Sequence, residues 1–186
     1  MADVVLVYGP PGAGKTRATL RLADWLAARG RRVGGFFQRV TADDLDRRGY
    51  DLVRFTNRAE AIALARPGVR RDETAASTVC SLVFSCDALA TGLTWLRADA
   101  AWANVLVIDE VSKLEVAGNG RYESVRWALA LPSDTLLLLS ARADQLTYVV
   151  DRFDLLDRIR GYVELPAQDA QLAELAQRLT AELRTN

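Results

Sequence analysis

The chain has no histidine and only two cysteines, Cys80 and Cys86, among its 186 residues. Zinc sites in proteins are built mainly from cysteine and histidine, and two thiols alone are too few for one. Two cysteines in a chain of this length also exclude a disulfide framework and fit a reducing compartment. Because imidazole is absent, acid–base chemistry in this chain falls mainly to carboxylates.

An excess of charge of one sign and long apolar runs are lacking as well. The 24 basic residues are balanced by 24 acidic residues, which gives no electrostatic support for binding nucleic acid or a membrane surface. No apolar run approaches the roughly 18 residues of a transmembrane helix, and the Met-Ala-Asp start does not resemble a signal peptide. We therefore expect a cytoplasmic protein that binds neither nucleic acid nor membrane. A protein partner is not indicated, although the sequence leaves one open.

Lysine is scarce too, because every basic residue except Lys15 and Lys113 is an arginine. Lys15 closes the segment Gly9-Pro10-Pro11-Gly12-Ala13-Gly14-Lys15-Thr16, which fits the nucleotide-binding pattern G-x-x-x-x-G-K-[ST]. Glycines let the backbone N–H groups wrap around phosphates, and a helix that begins there adds a positive end. We predict that Lys15 binds the β- and γ-phosphates of a nucleoside triphosphate and that the Thr16 hydroxyl binds magnesium.

The surroundings of this motif fit an α/β fold. An apolar run at 3–8 precedes the motif, and apolar residues at helical spacing follow it as far as Gly30. Further strand-like runs at 33–37, 105–108, 135–139 and 162–165 alternate with amphipathic segments. This alternation predicts a three-layer, mostly parallel sheet, the P-loop NTPase fold, in a single domain over 1–186. The polar region 40–75 is expected to form a small antiparallel excursion.

A second motif follows the apolar run 105–108, where Asp109 and Glu110 end a predicted strand. Open α/β sheets bind ligands at this end of their strands. Asp109 is therefore predicted to hold the magnesium ion together with Thr16. Glu110 is the predicted catalytic carboxylate, which would polarise a water molecule for in-line attack on the γ-phosphate. Glu115 is the next candidate for that task.

The segment from Asp109 to Glu115 resembles the D-E-I-G-K-M-E segment of a family of small nucleoside-triphosphatases, which includes a thermophile enzyme and a cancer-related nucleoside-triphosphatase. Gly35-Phe36-Phe37 is similar to the family's G-F-Y, and Arg48-Gly49-Tyr50-Asp51 is similar to its R-x-G-F-[DE]. The resemblance implies a monomeric P-loop protein that slowly hydrolyses several nucleoside triphosphates to diphosphate and phosphate. Ser112 replaces a family glycine, Gln38-Arg39 replaces acidic residues, and an Asn-Arg pair is missing near 168–169.

Three further residues are candidates for handling the γ-phosphate. For Lys113, the resemblance implies a γ-phosphate or structural role, and the alternative is a surface lysine that pairs with Glu110 or Glu115. Ser140 ends the next predicted strand, where related enzymes carry a polar γ-phosphate sensor. Arg142 is either an internal arginine finger or an ordinary surface residue. Together with the motif residues, the predicted nucleotide-binding set is Gly9, Pro10, Pro11, Gly12, Ala13, Gly14, Lys15, Thr16, Arg17 and Ser140.

Two other functions share the same motifs. A small-molecule kinase would pass the phosphoryl group to a second substrate, and an NTP-gated switch protein would use slow hydrolysis to reset binding to a partner. The Asp109-Glu110 pair favours water as the acceptor. The segment Gly118-Asn119-Gly120 is either a short loop that closes over the site or a plain connection to the next helix. No motif for reading a particular base is evident.

Overall fold

The computed structural model describes residues 1–42, 48–68, 75–79 and 82–182. Its strands are β1 (Asp3–Gly9), β2 (Val33–Ala42), β3 (Arg48–Arg54), β4 (Ala61–Pro67), β5 (Ala75–Val79), β6 (Leu82–Ser85), β7 (Val105–Val111), β8 (Leu136–Arg142) and β9 (Ile159–Glu164). Its α-helices are α1 (Lys15–Ala28), α2 (Cys86–Ala100), α3 (Lys113–Val116), α4 (Tyr122–Leu129), α5 (Leu146–Phe153) and α6 (Asp169–Glu182). Short 3-10 turns precede α5 and β9.

All the described strands belong to one sheet in the order β5-β6-β4-β3-β2-β7-β8-β1-β9. The five strands from β2 to β9 in this order pair in parallel. Strands β3, β4, β6 and β5 extend the sheet through antiparallel pairs. The α/β prediction with a parallel sheet is therefore confirmed, and the antiparallel part continues the same sheet beyond β2.

Helices cover both faces of the parallel part, which gives the three predicted layers. On one face, Val5 and Val7 of β1 pack with Leu22 of α1 and Leu175 of α6. On the other face, alternate residues of β1 pack in a core that includes Leu96 of α2. Because both faces are covered, the central strands are almost entirely apolar. Polar side chains on these strands are therefore confined to the strand ends.

The register of the sheet brings these polar strand ends together. Leu139 of β8 pairs with both Leu6 of β1 and Ile108 of β7, so the three residues lie at one level. Phe36 of β2 also pairs with Ile108. Because the strands are parallel, the residues that come after these paired positions lie at the same edge of the sheet. The chain therefore places Asp109, Ser140, Gln38 and the segment after β1 at one edge.

Candidate functional site

The glycine-rich segment connects β1 to α1 and forms a compact loop. Gly12 and Gly14 have φ angles of 78° and 86°, a region that residues with a Cβ atom rarely adopt. Lys15 begins α1, its side chain is 7% exposed, and its Nζ donates to the Pro10 carbonyl at 3.4 Å. Ala13 N also donates to that carbonyl at 3.2 Å. The loop thus surrounds the one lysine that the motif requires.

Asp109 is fully buried at the end of β7 and accepts hydrogen bonds from three separate segments. Thr16 Oγ1 donates to its Oδ2 at 2.8 Å, and the backbone N–H of Gln38 donates to the same oxygen at 3.2 Å. Ser140 Oγ donates to Oδ1 through a short hydrogen bond. These contacts bring together the residues that the sequence assigned to the metal and to γ-phosphate sensing.

The oxygen atoms around Asp109 suit magnesium. A carboxylate and a threonine hydroxyl are hard ligands, and magnesium is usually held by one or two such groups plus water and phosphate oxygens. Among the residues that the structure describes, no three or more histidine, cysteine, aspartate or glutamate side chains form a group that could hold a metal ion. Thr16 and Asp109 are the residues here that could hold a magnesium ion together with phosphate oxygens.

Glu110 follows Asp109 and faces the loop lysine. Its Oε2 lies 3.7 Å from Lys15 Nζ, and its side chain is 18% exposed. Burial raises the pKa of Glu110 above its ordinary value, and the attraction of Lys15 opposes that increase. This carboxylate therefore lies beside Lys15 and still reaches solvent. It can therefore contact a water molecule in the cavity.

Sequence reasoning missed Arg121, which is buried at the start of α4 and 4% exposed. Its guanidinium donates to the backbone carbonyl of Glu110 at 2.9 Å and to the side-chain Oε1 of Gln38 at 2.8 Å. Gln38 had been noted only as a departure from the family pattern. The hydrogen bond between the two side chains spans 83 positions of the chain, so no local sequence signal could have indicated it.

The expectation that Glu115 could replace Glu110 as the catalytic base is wrong. Glu115 is 1% exposed, its Oε2 accepts from Ser112 N at 2.8 Å, and its Oε1 accepts from Arg121 N at 3.0 Å. Its carboxylate also lies 3.5 Å from the Arg121 guanidinium. Both oxygens are thus engaged in holding the start of α3 and the start of α4. A carboxylate in this position is structural.

Comparison with known proteins places this arrangement in a family. A family model described as NTPase matches residues 4–166. The chain belongs to this NTPase family. It is 27% identical to a cancer-related nucleoside-triphosphatase homolog from Bos taurus over 141 residues, which cover 74% of each protein.

Two solved structures share the fold. The chain aligns with a human cancer-related nucleoside triphosphatase at 21% identity and a TM-score of 0.70, covering 99% of this chain and 98% of that one. It aligns with THEP1 from the hyperthermophile Aquifex aeolicus at 17% identity and a TM-score of 0.61, covering 97% and 98%. These matches confirm the P-loop NTPase fold and the family expected from the resemblance.

Two further predicted residues, Lys113 and Arg142, line a cavity of about 280 Å³, here called the inner cavity. Lys113 begins α3 and lines this cavity together with Lys15 and Glu110. The alternative of pairing Lys113 with a nearby glutamate is not what the structure shows, because Glu110 pairs with Lys15 and Glu115 with Arg121. Lys113 therefore presents its charge at the edge of the phosphate site.

Arg142 lines the inner cavity at the end of β8. Its Nε and Nη2 atoms donate to the Asp144 carboxylate at 2.9 and 2.7 Å.

The segment Gly118-Asn119-Gly120 connects α3 to α4. A hydrogen bond from Asn119 N to the Leu114 carbonyl at 2.8 Å holds it in place. Arg17 is exposed on the first turn of α1, outside the loop.

Proposed function

We propose that the chain hydrolyses the β–γ bond of nucleoside triphosphates, as their magnesium complexes, to nucleoside diphosphate and phosphate. Membership of the NTPase family and the names of its relatives support triphosphatase activity in general. The observation that carries the proposal is the convergence of Thr16 on Asp109 at 2.8 Å and of Lys15 on Glu110 at 3.7 Å. One site thereby holds a phosphate-binding lysine, two magnesium ligands and a further carboxylate.

Each residue has a distinct task in this proposal. The loop N–H groups and Lys15 hold the β- and γ-phosphates, and Glu110 accepts a proton from the attacking water. Thr16 and Asp109 would hold magnesium, which would supply positive charge to the phosphates of the substrate. Attack breaks the bond between the γ-phosphorus and the β–γ bridging oxygen, which leaves on the diphosphate.

Two groups are candidates for stabilising the charge of the transition state. Lys113 and Arg142 both line the inner cavity beside Glu110. The guanidinium of Arg142 is hydrogen-bonded to the Asp144 carboxylate. For this role it has to turn from Asp144 toward the γ-phosphate.

A second cavity next to the loop supports broad base specificity. This β9 cavity, of about 420 Å³, is lined by Gly14 and Arg17 and by the segment after β9. That segment contributes the apolar side chains of Leu165, Pro166 and Ala167, while Asp169, which also lines the cavity, pairs with Arg21 at 2.7 Å. Apolar contact supports a base without distinguishing its polar edge, so we propose that several nucleoside triphosphates are accepted.

Phosphate release from ATP, GTP, CTP and UTP tests the proposal directly. We expect all four to yield phosphate and the corresponding diphosphate when magnesium is present, with rates that differ by less than about tenfold. Removal of magnesium with a chelator should stop release, and its restoration should recover the rate. Release of pyrophosphate, or a rate that is independent of magnesium, would contradict the proposal.

A further inference from the structure

The largest cavity beside the phosphate loop is not explained by hydrolysis. This α1 cavity, of about 660 Å³, lies between the outer face of α1 and strands β2 and β3. A water molecule occupies only about 30 Å³ of liquid, whereas cavities of about 300–1,000 Å³ hold small organic molecules. The γ-phosphate and the metal would occupy the part of this cavity that Lys15 and Thr16 line, and the walls formed by α1, β2 and β3 extend beyond that part.

The α1 cavity and the β9 cavity lie toward different ends of a bound triphosphate. Lys15, Thr16 and Glu110, the residues assigned to the γ-phosphate, the metal and the attacking water, line the α1 cavity. The β9 cavity is not lined by these three residues and reaches the segment after β9. The two cavities share the walls formed by Gly12, Gly14, Arg17 and Arg21. Because the nucleoside is attached to the α-phosphate, its base fits the β9 cavity. The α1 cavity then lies beyond the γ-phosphate, on the side of the attacking group.

The walls of the α1 cavity combine apolar and cationic groups. Phe37 and Tyr50 present aromatic surface, and Val40, whose side chain is 58% exposed, adds an uncovered aliphatic surface. Val40 and Tyr50 are paired residues on β2 and β3, so they form one continuous patch. The cationic groups on the walls, besides the loop lysine, are Arg17, Arg21 and Arg39.

Two of these cations have acidic partners, since Arg21 lies 2.7 Å from Asp169 and Arg39 lies 3.3 Å from Asp51. Both arginine side chains are at least 40% exposed, so a phosphate group can compete with these carboxylates. Among the described residues, Asp24 is the one acid besides Glu110 on the walls of this cavity, and its carboxylate accepts from Arg58 at 2.6 Å. Arginine is well suited to phosphate, and aromatic side chains stack on planar rings. A molecule that carries both a planar ring and a phosphate group matches this combination.

We propose that the α1 cavity binds a nucleoside monophosphate as a second substrate, which accepts the γ-phosphoryl group in place of water. This inference rests on the proposed binding of a nucleoside triphosphate at the loop. A phosphate oxygen of the acceptor forms a bond to the γ-phosphorus, and the bond from that phosphorus to the β–γ bridging oxygen breaks. The bridging oxygen keeps the electron pair, and the products are two nucleoside diphosphates. A dianionic phosphate has no proton to lose, so this step needs no base.

The test follows the γ-phosphate of labelled ATP with magnesium and AMP, CMP, GMP or UMP. We expect label in the diphosphate of at least one added nucleoside as well as in free phosphate. Glu110→Gln should suppress label in phosphate far more than label in diphosphate, because only water requires a base. Lys15→Ala, purified in the same way, should yield neither product and so controls for contaminating kinases.

A matched pair of variants tests the cavity itself. Val40→Asp places a negative charge on the exposed wall, whereas Val40→Asn has the same shape without the charge. We expect Val40→Asp to lower the ratio of diphosphate label to phosphate label about tenfold relative to Val40→Asn, because like charges repel the acceptor. An equal ratio in the two variants would overturn the assignment of the acceptor to this cavity.

The outcomes separate this inference from hydrolysis. Label in phosphate alone, with all four acceptors, overturns the inference and leaves the proposed function standing. Label in diphosphate alone supports the inference and contradicts hydrolysis as the main reaction. Label in neither product overturns both.

Discussion

The charged residues of the site differ in how firmly the fold holds them. Asp109, Glu115 and Arg121 are at most 4% exposed, and hydrogen bonds fix each of them. Lys113 is exposed at the start of α3, and the side chain of Arg142 is 35% exposed. The buried residues can fix distances, whereas the exposed ones can move toward a ligand. Positioning and charge stabilisation therefore fall to different residues.

Lys15→Ala should abolish nucleotide binding, because it removes the charge that the loop surrounds. Lys113→Ala removes the other lysine and should lower affinity far less, since that side chain lies on the open edge of the site. Isothermal titration calorimetry with magnesium and ATP compares the two. Micromolar affinity in Lys15→Ala would contradict the assignment of Lys15.

Arg121→Lys should lower kcat about tenfold with little change in KM. Lysine keeps the charge beside Glu115 but cannot donate to both the Glu110 carbonyl and Gln38, and one lost hydrogen bond of about 1.4 kcal/mol corresponds to that factor. Steady-state kinetics measure the change. Arg121 and Gln38 form one hydrogen bond with each other. The double variant Gln38→Met with Arg121→Lys should therefore lose less kcat than the two single variants together. Additive effects would show that Arg121 does not act through Gln38.

At the level of elements, Asp99 at the end of α2 fixes the strands that carry the site. Its Oδ2 accepts from Gly35 N on β2 at 2.9 Å, and its Oδ1 accepts from Arg54 on β3 at 2.6 Å. Asp99 is fully buried, and the side chain of Arg54 is 24% exposed. This contact raises the pKa of Arg54 above its ordinary value. The ion pair thus joins one helix to the two strands that also line the α1 cavity.

Asp99→Ala should lower the free energy of unfolding by about 3–5 kcal/mol, because it leaves the Gly35 N–H and part of the Arg54 charge without a partner. The exposed Asp151 on α5 offers a control, and Asp151→Ala should change stability by less than about 0.5 kcal/mol. Urea unfolding followed by circular dichroism measures both. Equal stability of the two variants would mean that the ion pair does not hold these elements together.

Strands that are buried on both faces could be predicted from the sequence, because burial requires a run of apolar residues. Strand segments that form mainly through backbone pairing were missed. The run at 105–108 is aliphatic because both faces of β7 are covered, and it was recognised for that reason. The run at 33–37 was predicted to end at Phe37, yet β2 continues to Ala42, because the more exposed residues after Phe37 pair with β3. Such pairing depends on a partner strand and leaves no periodicity of its own.

The candidate site shows the same division. The loop from Gly9 to Thr16 and the pair Asp109-Glu110 are contiguous motifs, so the sequence placed both. Arg121 and the structural role of Glu115 depend on how α3 and α4 return to the end of β7. That return is a tertiary contact between polar residues, which hydrophobic spacing does not reveal.

At the level of the whole molecule, one sheet runs through all the described strands. None of the helices among the described residues is long and apolar enough to span a membrane. A continuous sheet with cores on both faces favours cooperative unfolding.

We expect one unfolding transition in calorimetry, shifted upward by magnesium and ATP. Ligand at 100 times Kd stabilises the folded state by about 2.7 kcal/mol, or roughly 5–10 °C for a protein of this size. Lys15→Ala should unfold in the same single transition without the shift. Two resolved transitions would instead show that the antiparallel strands form a unit of their own.

The most direct test of the central claim compares Glu110→Gln with the wild type in ATP binding and phosphate release. Glutamine keeps the shape of the side chain but accepts a proton far less readily, so we expect ATP affinity within a few-fold of wild type and phosphate release lower by about 10²–10⁴. Glu123→Gln, an exposed change on α4, should leave both unchanged. Unaltered phosphate release in Glu110→Gln would contradict the claim that this carboxylate activates the water.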